Sequence, residues 1–275
     1  MARSTPWTAA PPPPRRTTRL LVAAAMVAGL GQLVPAAPAA ARTVTTTQRG
    51  LDACNAPSVS QMRAFWTRTP YGWFNMYIGG SMRACANANI TPSWISQVRG
   101  IGWKLLPTWV GPQAPCSGFR SRFSYDQGTA YSQGRSEAAS ATATIRNLQM
   151  SVDTPLVYDL EGFNTLDGAC LAAAKAFVHG WTSYLALPPR QVSGLYGSVC
   201  GSGLGAFASI PRPPDFIWGA WYNGNPDVNN MKCVSPYHWV YSQRHKQYAG
   251  GHNETWNGVT LYVDNNSSNG PVYTT

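Results

Sequence analysis

Short apolar runs alternate with polar or glycine-bearing loops from residue 50 onward, and eight of these runs are typical of β-strands. Several of the segments between them have apolar residues at helical spacing. Alternating strands and helices predict parallel βαβ units, and eight units predict an α/β fold with a single (β/α)8 TIM-like barrel. The predicted strands are GLDAC (50–54), FNMYIGG (74–80), WKLLPTWVG (103–111), PLVYDLEG (155–162), VSGLYGS (192–198), FIWGAWY (216–222), WVYSQ (239–243) and TLYVDNN (260–266).

Three helices are predicted between the strands. Ser58 is the expected N-cap of a helix over 58–68, and Thr91-Pro92 opens a second with proline at its first position. The third covers 170–187, where seven apolar residues recur at helical spacing. Helix patterns are weak in the last third, so the barrel is expected to be irregular there. An open doubly wound sheet is the alternative, but no glycine fingerprint for dinucleotides or phosphates follows the first strand.

The first 42 residues contain five arginines and no acid, and they differ from the rest of the chain. Arg15, Arg16 and Arg19 precede an apolar run over 20–34, and small residues that suit signal cleavage follow. The arginine pair also loosely resembles a twin-arginine export signal. The apolar run is short for a membrane span, so no stable membrane insertion is expected after cleavage. The predicted organisation is a cleaved export signal peptide (1–41), a short extension (42–48) and the barrel (49–275).

Length and charge fit a protein that works outside the cell. The 275 residues suit one barrel, and the formal net charge of +10 falls to +5 without the first 42 residues, with 16 basic against 11 acidic side chains. This bias suits an anionic cell-wall or polysaccharide setting, while the absence of a basic run argues against nucleic acid. We therefore expect a secreted or cell-wall protein, and a monomer.

The six cysteines are an even number, as expected in an oxidising compartment. Six cysteines allow about 15 pairings. In the predicted barrel each cysteine lies on a different loop at the carboxyl ends of the strands, so neighbouring loops are the expected partners. No CxxC pair and no close histidine spacing is present, so neither a metal nor a cofactor is expected. The predicted bridges are Cys54–Cys85, Cys116–Cys170 and Cys200–Cys233.

Four acids are predicted to converge on the barrel mouth. Asp159 and Glu161 are two apart on the fourth strand, so they face the same side at its carboxyl end. Asp52 and Asp264 end the first and eighth strands, which become neighbours when the barrel closes. Two adjacent acids in a partly apolar pocket push their pKa values apart, which leaves one as a proton donor, as glycoside hydrolysis requires. The alternative is a structural pair that caps the next helix.

Aromatic and amide side chains also lie near the predicted strand ends. Such residues stack on sugar rings and bind hydroxyls, although some could simply fill the barrel. The candidates for substrate binding, together with Asp264, are Tyr77, Trp109, Tyr196, Trp221 and Gln243.

GLDACNAPS, NMYIGG, YDLEG, GLYGS, WGAWY and YVDNN together resemble a bacterial glycoside-hydrolase-like family, the domain of unknown function 1906. That family is similar in layout to the glycoside hydrolase family 25 lysozymes. The resemblance covers roughly residue 49 onward and implies a barrel with Asp52, Asp159 and Glu161 in its pocket, Glu161 matching the proton donor. The lysozymes have a further Asp on strand six, where this chain has Trp221 and Tyr222.

Two main hypotheses follow from the sequence. The first is a glycan hydrolase that acts on cell-wall polysaccharide, with peptidoglycan as the expected substrate. The alternative is a non-catalytic carbohydrate-binding barrel of the cell envelope. A protein-interaction scaffold is a third and weaker hypothesis, which an occluded barrel mouth would favour.

Overall fold

The fold is built on a closed barrel of eight strands, as a computed structural model that describes residues 43–274 shows. The order around the barrel is β2 to β9, and β9 pairs with both β8 and β2 to close it. The strands are β1 (Thr43–Thr46), β2 (Arg49–Asp52), β3 (Tyr71–Gly79), β4 (Lys104–Trp109), β5 (Pro155–Asp159), β6 (Val192–Ser198), β7 (Phe216–Ala220), β8 (Arg244–Trp256) and β9 (Val259–Tyr273). The helices are α1 (Val59–Trp66), α2 (Pro92–Ile101), α3 (Gln127–Asn147) and α4 (Gly168–Leu185).

The predicted TIM-like barrel is confirmed, with one difference in its last strand. Strands β2 to β8 run parallel, whereas β9 runs antiparallel to β8 and β2. A two-residue turn joins β8 to β9, and its residues Asn257 and Gly258 both have positive φ, 50° and 77°. Asn-Gly is the preferred sequence for such a hairpin turn, and a hairpin forces its strands to be antiparallel. Strand β1 pairs with the far end of β9 and lies in the segment predicted as an extension.

The seventh predicted strand, WVYSQ (239–243), is wrong. Trp239 and Ser242 have φ of 53° and 58°, so this segment turns instead of extending. The Trp239 indole is buried and donates to the carbonyl of Pro214. The segment therefore contains a core residue although it is not a strand. The strand that lies there, β8, begins at Arg244 and is largely polar.

The predicted helices α1, α2 and α4 are confirmed, with shifted ends. Ser58 caps α1 in a capping box: its hydroxyl accepts from the Gln61 backbone N–H, and the Gln61 side chain accepts from that of Ser58. Helix α3 was not predicted from the sequence. In the irregular last third, one 3-10 turn, Leu204–Ser209, is the only helical element after α4 in the described part of the chain.

Helices α3 and α4 cross with almost no side chain between them. A Cβ at Gly134 would lie 2.0 Å from the carbonyl oxygen of Phe177, and a Cβ at Gly180 would lie 2.0 Å from that of Tyr131. The two glycines therefore permit backbone contact that any larger residue would prevent. This contact holds the helix pair against the outer side of the barrel.

The barrel interior is filled by side chains, so it is a core and not a channel. Its inward-facing cluster combines residues of six strands: Trp73, Leu106, Val157, Tyr196, Phe216, Trp218 and Val272. A larger apolar layer lies between the strands and the helices. Within residues 43–274, no helix combines the length and apolarity needed to cross a membrane. The predicted signal peptide lies outside the described residues.

Three disulfides join loops at the carboxyl ends of the parallel strands, and the predicted pairing is confirmed. The Cα–Cα distances are 5.6 Å for Cys54–Cys85, 5.9 Å for Cys116–Cys170 and 5.3 Å for Cys200–Cys233. All three values lie in the range that an unstrained bridge requires. The bridges therefore fix the loops that surround the mouth of the barrel.

Candidate active site

A cavity of about 350 Å³ lies at the carboxyl ends of the parallel strands, where barrel enzymes have their active sites. Five of the predicted site residues line it: Asp52, Tyr77, Asp159, Glu161 and Asp264. The rest of the lining is largely apolar, apart from an arginine and a glutamine. Four acids in a chain with only 11 carboxylates therefore face one concave space.

The segment that carries Asp159 and Glu161 is held by a buried glutamine. Asp159 ends β5, so Glu161 lies two residues beyond the strand instead of on it. The Gln113 amide donates to the backbone carbonyl of Asp159 at 2.9 Å and accepts from the backbone N–H of Glu161 at 2.8 Å. Leu160 donates its N–H to Tyr196 of the next strand and is itself buried. These contacts fix the position of Glu161 without strand pairing.

The carboxyl groups of Asp159 and Glu161 lie within hydrogen-bonding distance of each other. Asp159 is buried, and none of the described residues donates a hydrogen bond to its Oδ1. Burial, then the charges of Glu161 and Asp52, raise the pKa of Asp159 well above its ordinary value. Burial also raises the pKa of Glu161, opposed by hydrogen bonds from Asp159 and from the Gly162 backbone. Both shifts favour retention of a proton by the pair, and Glu161 is the more exposed member.

A second carboxyl pair is formed by Asp52 of β2 and Asp264 of β9, which are opposite each other in the strand register. Asp52 accepts three hydrogen bonds, from Tyr77 Oη at 2.9 Å, Gln247 Nε2 at 2.9 Å and Asn266 Nδ2 at 2.6 Å. Burial, with the nearby charge of Asp264, raises the pKa of Asp52 to about 7. Burial raises the pKa of Asp264 as well.

Gln247 connects this second pair to two tyrosines. Its Nε2 donates to Asp52 and, at 3.1 Å, to Asp264. Its Oε1 accepts from the hydroxyls of Tyr196 and Tyr222, both at 2.8 Å. The predicted site residue Tyr196 is therefore part of the network, and the 59% exposed ring of Tyr222 is available to a ligand.

Three predicted binding residues are not at the mouth. The Trp109 indole donates to Glu137 of α3, so its ring lies between β4 and that helix. Trp221 packs on the outer layer, with Lys246 Nζ 5.0 Å from its ring centroid. Gln243 precedes β8 at the opposite end of the barrel, where its side chain donates to the carbonyl of Asp215. Both tryptophans lie away from the mouth because side chains one position apart along a strand face opposite sides of the sheet.

The residues that the sequence did not suggest have identifiable causes. Asn266 is two positions after Asp264 and so shares its face, which the period of two could have predicted. Gln247 was hidden by the misplaced seventh strand. Gln113 lies in a loop, where no pattern identifies it.

Cys116, Asp167 and Cys170 lie close enough together to suggest a metal site. Both cysteines are consumed by the disulfide between them, so they offer no thiolate to a metal.

Comparisons with known proteins agree with this geometry. The family model for the Rv2525c-like, glycoside hydrolase-like domain matches residues 64–268. No curated protein sequence matches the chain.

Solved structures share the fold at low sequence identity. An uncharacterized protein of B. stearothermophilus superposes with a TM-score of 0.56 at 18% identity, over 80% of this chain and 95% of that one. The Tat-secreted protein Rv2525c of Mycobacterium tuberculosis, crystallised with L-tartrate, superposes with a TM-score of 0.52 at 15% identity, over 81% of this chain and 96% of that one. A family 25 glycosyl hydrolase from Bacillus anthracis has a TM-score of 0.46 at 15% identity, over 80% of this chain and 88% of that one.

Proposed function

Since the chain belongs to the family of the Rv2525c-like, glycoside hydrolase-like domain, we propose that it hydrolyses glycosidic bonds of a cell-wall polysaccharide, with peptidoglycan as the substrate. The observation that carries this proposal is the pairing of Asp159 with Glu161 at the barrel mouth. A buried acid beside a solvent-reaching one retains a proton at neutral pH, and glycoside hydrolysis requires such a donor.

In this mechanism Glu161 donates a proton to the glycosidic oxygen as the bond from that oxygen to the anomeric carbon breaks. A water molecule adds to the anomeric carbon and gives its proton to a carboxylate of the mouth. Asp159 is the hydrogen-bonding partner of Glu161, which orients the Glu161 carboxyl and shares the proton. Gln113 fixes the backbone of both residues, so the donor is positioned before the substrate binds.

The second pair, Asp52 and Asp264, acts on the positive charge that develops on the sugar ring. The pKa of Asp52 is raised to about 7 and that of Asp264 is also raised, which favours one shared proton and leaves the ionised member to supply negative charge. That charge faces the same cavity as Glu161. The exposed ring of Tyr222 offers a stacking surface for the sugar.

The proposed place of action is outside the cell. Three formed disulfides are typical of oxidising compartments, and the arginine-rich first 41 residues would direct export and then be removed. The Rv2525c relative is described as Tat-secreted.

The test is the release of reducing ends from purified cell wall by wild type and by Glu161→Gln. We expect the variant to lose about 10²–10⁴-fold in rate while it still folds and binds wall, since only the transferable proton is removed. Glu137→Gln is the matched control, because Glu137 is also half-buried but bonds to Trp109 outside the mouth. It should keep wild-type activity.

Two outcomes would overturn the proposal. Equal hydrolysis by wild type and Glu161→Gln would remove Glu161 as the donor. Binding of wall without any release of reducing ends would favour the non-catalytic barrel. A specific argument for that barrel is that Trp221 and Tyr222 follow β7, where the lysozymes have an acid.

A further inference from the structure

Arg83 is the one cationic side chain that lines the cavity among the described residues. It lies on the loop after β3 and is half-buried. Its Nη1 donates to the backbone carbonyl of Tyr77 at 3.5 Å, the long limit of a hydrogen bond. This guanidinium has no role in the proposed mechanism, and its one long hydrogen bond contributes little to the fold.

The loop that carries Arg83 is held firmly on both sides. Cys85, two residues later, is bridged to Cys54 at the end of β2. On the other side, Met82 donates its N–H to the carbonyl of Val110, and Gly80 adopts a φ of 105° against that same carbonyl. A cation on so constrained a loop is positioned before any ligand arrives.

Arg83 has no carboxylate partner in residues 43–274, although four acids line the same cavity. The ion pairs among the described residues are Arg190–Asp215 and His252–Glu254, and neither includes Arg83. Asp52 accepts from its three donors, Asp264 accepts from Gln247, and Glu161 bonds to Asp159 and to the Gly162 backbone. The five N–H donors of the guanidinium are therefore largely free to bind a group that enters the cavity.

We propose that Arg83 binds an anionic substituent of the sugar, so that the site selects glycans with acidic residues over neutral ones. The substituent is a carboxylate or a phosphate, both of which a guanidinium binds with paired hydrogen bonds. This inference rests on the proposed function for its setting, since it places an acidic sugar beside Glu161.

The experiment compares three monosaccharides that share one ring and differ at carbon six: glucose, glucuronate and glucose 6-phosphate. Binding to the disulfide-intact chain is measured by ligand-observed NMR or calorimetry. We expect the anionic sugar that the site selects to bind about tenfold more tightly than glucose, as for a charge-assisted hydrogen bond. Tighter binding of glucuronate identifies a carboxylate, and tighter binding of glucose 6-phosphate identifies a phosphate.

Two variants show whether Arg83 is the cause. In Arg83→Gln the preference for the anionic sugar should disappear, while glucose binding is unchanged. Arg120→Gln is the matched control: it removes the same charge from a neighbouring loop, where Arg120 is exposed, donates to the carbonyl of Ser81 and does not line the cavity. It should retain the preference.

Equal affinity for the three sugars in wild type, or a preference that survives in Arg83→Gln, would overturn the inference. The measurement needs no turnover, so its result is independent of the hydrolysis assay. An active hydrolase without anion preference would refute only the role of Arg83. Anion preference in a protein without hydrolysis would refute only the proposed reaction.

Discussion

Asp52 is the residue on which the site depends most heavily. Its carboxyl is buried and bonded to side chains of β3, β8 and β9, so it joins three strands as well as facing the cavity. Removing a carboxyl from water favours its protonated form, and the neighbouring Asp264 adds to this effect. The same burial that would suit the chemistry therefore makes the folded protein sensitive to pH.

The predicted consequence is a loss of stability as pH rises. Folding raises the pKa of Asp52 from 3.8 to about 7, so the folded state binds this proton more tightly than the unfolded state. The resulting stabilisation is complete below pH 3.8 and is lost as pH rises through about 7. Burial lowers the pKa of His245 to about 3, which acts in the opposite direction over this range. The contribution of Asp52 is therefore measured as a difference: between pH 5 and pH 8 in urea unfolding, wild type should lose more free energy of unfolding, or gain less, than Asp52→Asn.

In Asp52→Asn this contribution should disappear, because the titrating group is absent. Asparagine can keep two of the acceptor contacts, and the Tyr77 hydroxyl can accept from its amide. A pH dependence as steep as that of wild type would show that Asp52 does not titrate in this range. The remaining pH dependence belongs to the other groups with shifted pKa values, which include the other mouth acids and His245.

At the scale of elements, α3 and α4 are joined by backbone contact instead of large side chains. The buried residues of α3 are mostly small, among them Ala130, Gly134, Ala138 and Ala141. Such a stripe lacks the large apolar side chains by which a helix is recognised in a sequence, and this explains why α3 was missed while α4 was found. The polar β8 was missed for a similar reason, because His245 and Gln247 fill its inward side with hydrogen-bonded groups.

What the sequence did predict follows from local rules. Strand patterns predicted most of the strands and the four acids at the mouth. Capping residues and helical spacing predicted three helices, and the positions of the cysteines predicted the disulfides. Errors arose where a tertiary contact decided the outcome, as for the loop at Trp239 and for the outward tryptophans.

The helix contact can be tested with single alanine substitutions. Gly134→Ala or Gly180→Ala should lower the free energy of unfolding by about 1–3 kcal/mol, because a Cβ would force the helices apart. Gly100→Ala in α2 is the control, since nothing lies within 4 Å of its Cβ position. There the better helix propensity of alanine should leave stability unchanged or raise it by up to about 1 kcal/mol. Similar effects at all three positions in chemical denaturation would contradict the close crossing.

At the scale of the whole molecule, the three disulfides act at one end of the barrel. They span 31, 54 and 33 residues, and each joins loops at the mouth. The strands beneath them are held by the interior cluster and by closure through β9. The mouth and the barrel are therefore stabilised by different means.

This division predicts a local effect when one bridge is removed. In the double variant Cys54→Ser, Cys85→Ser, amide hydrogen exchange over residues 80–90 should accelerate, while β5 and β6 stay protected. The pair Cys200→Ser, Cys233→Ser should leave residues 80–90 protected. Equal acceleration throughout the barrel in either variant would show that the bridges stabilise the whole fold.

The closing strand β9 has a consequence for the order of events during synthesis. Asp52 is made early, but its partners Gln247 and Asn266 follow 195 and 214 residues later. Contacts so distant in sequence form late in folding, and β2 keeps an open edge until β9 pairs with it. A chain whose β9 has not yet emerged from the ribosome therefore has neither the second acid pair nor a closed mouth. If the protein cuts cell wall, it would be harmless to the cell that makes it until β9 has emerged and joined the barrel.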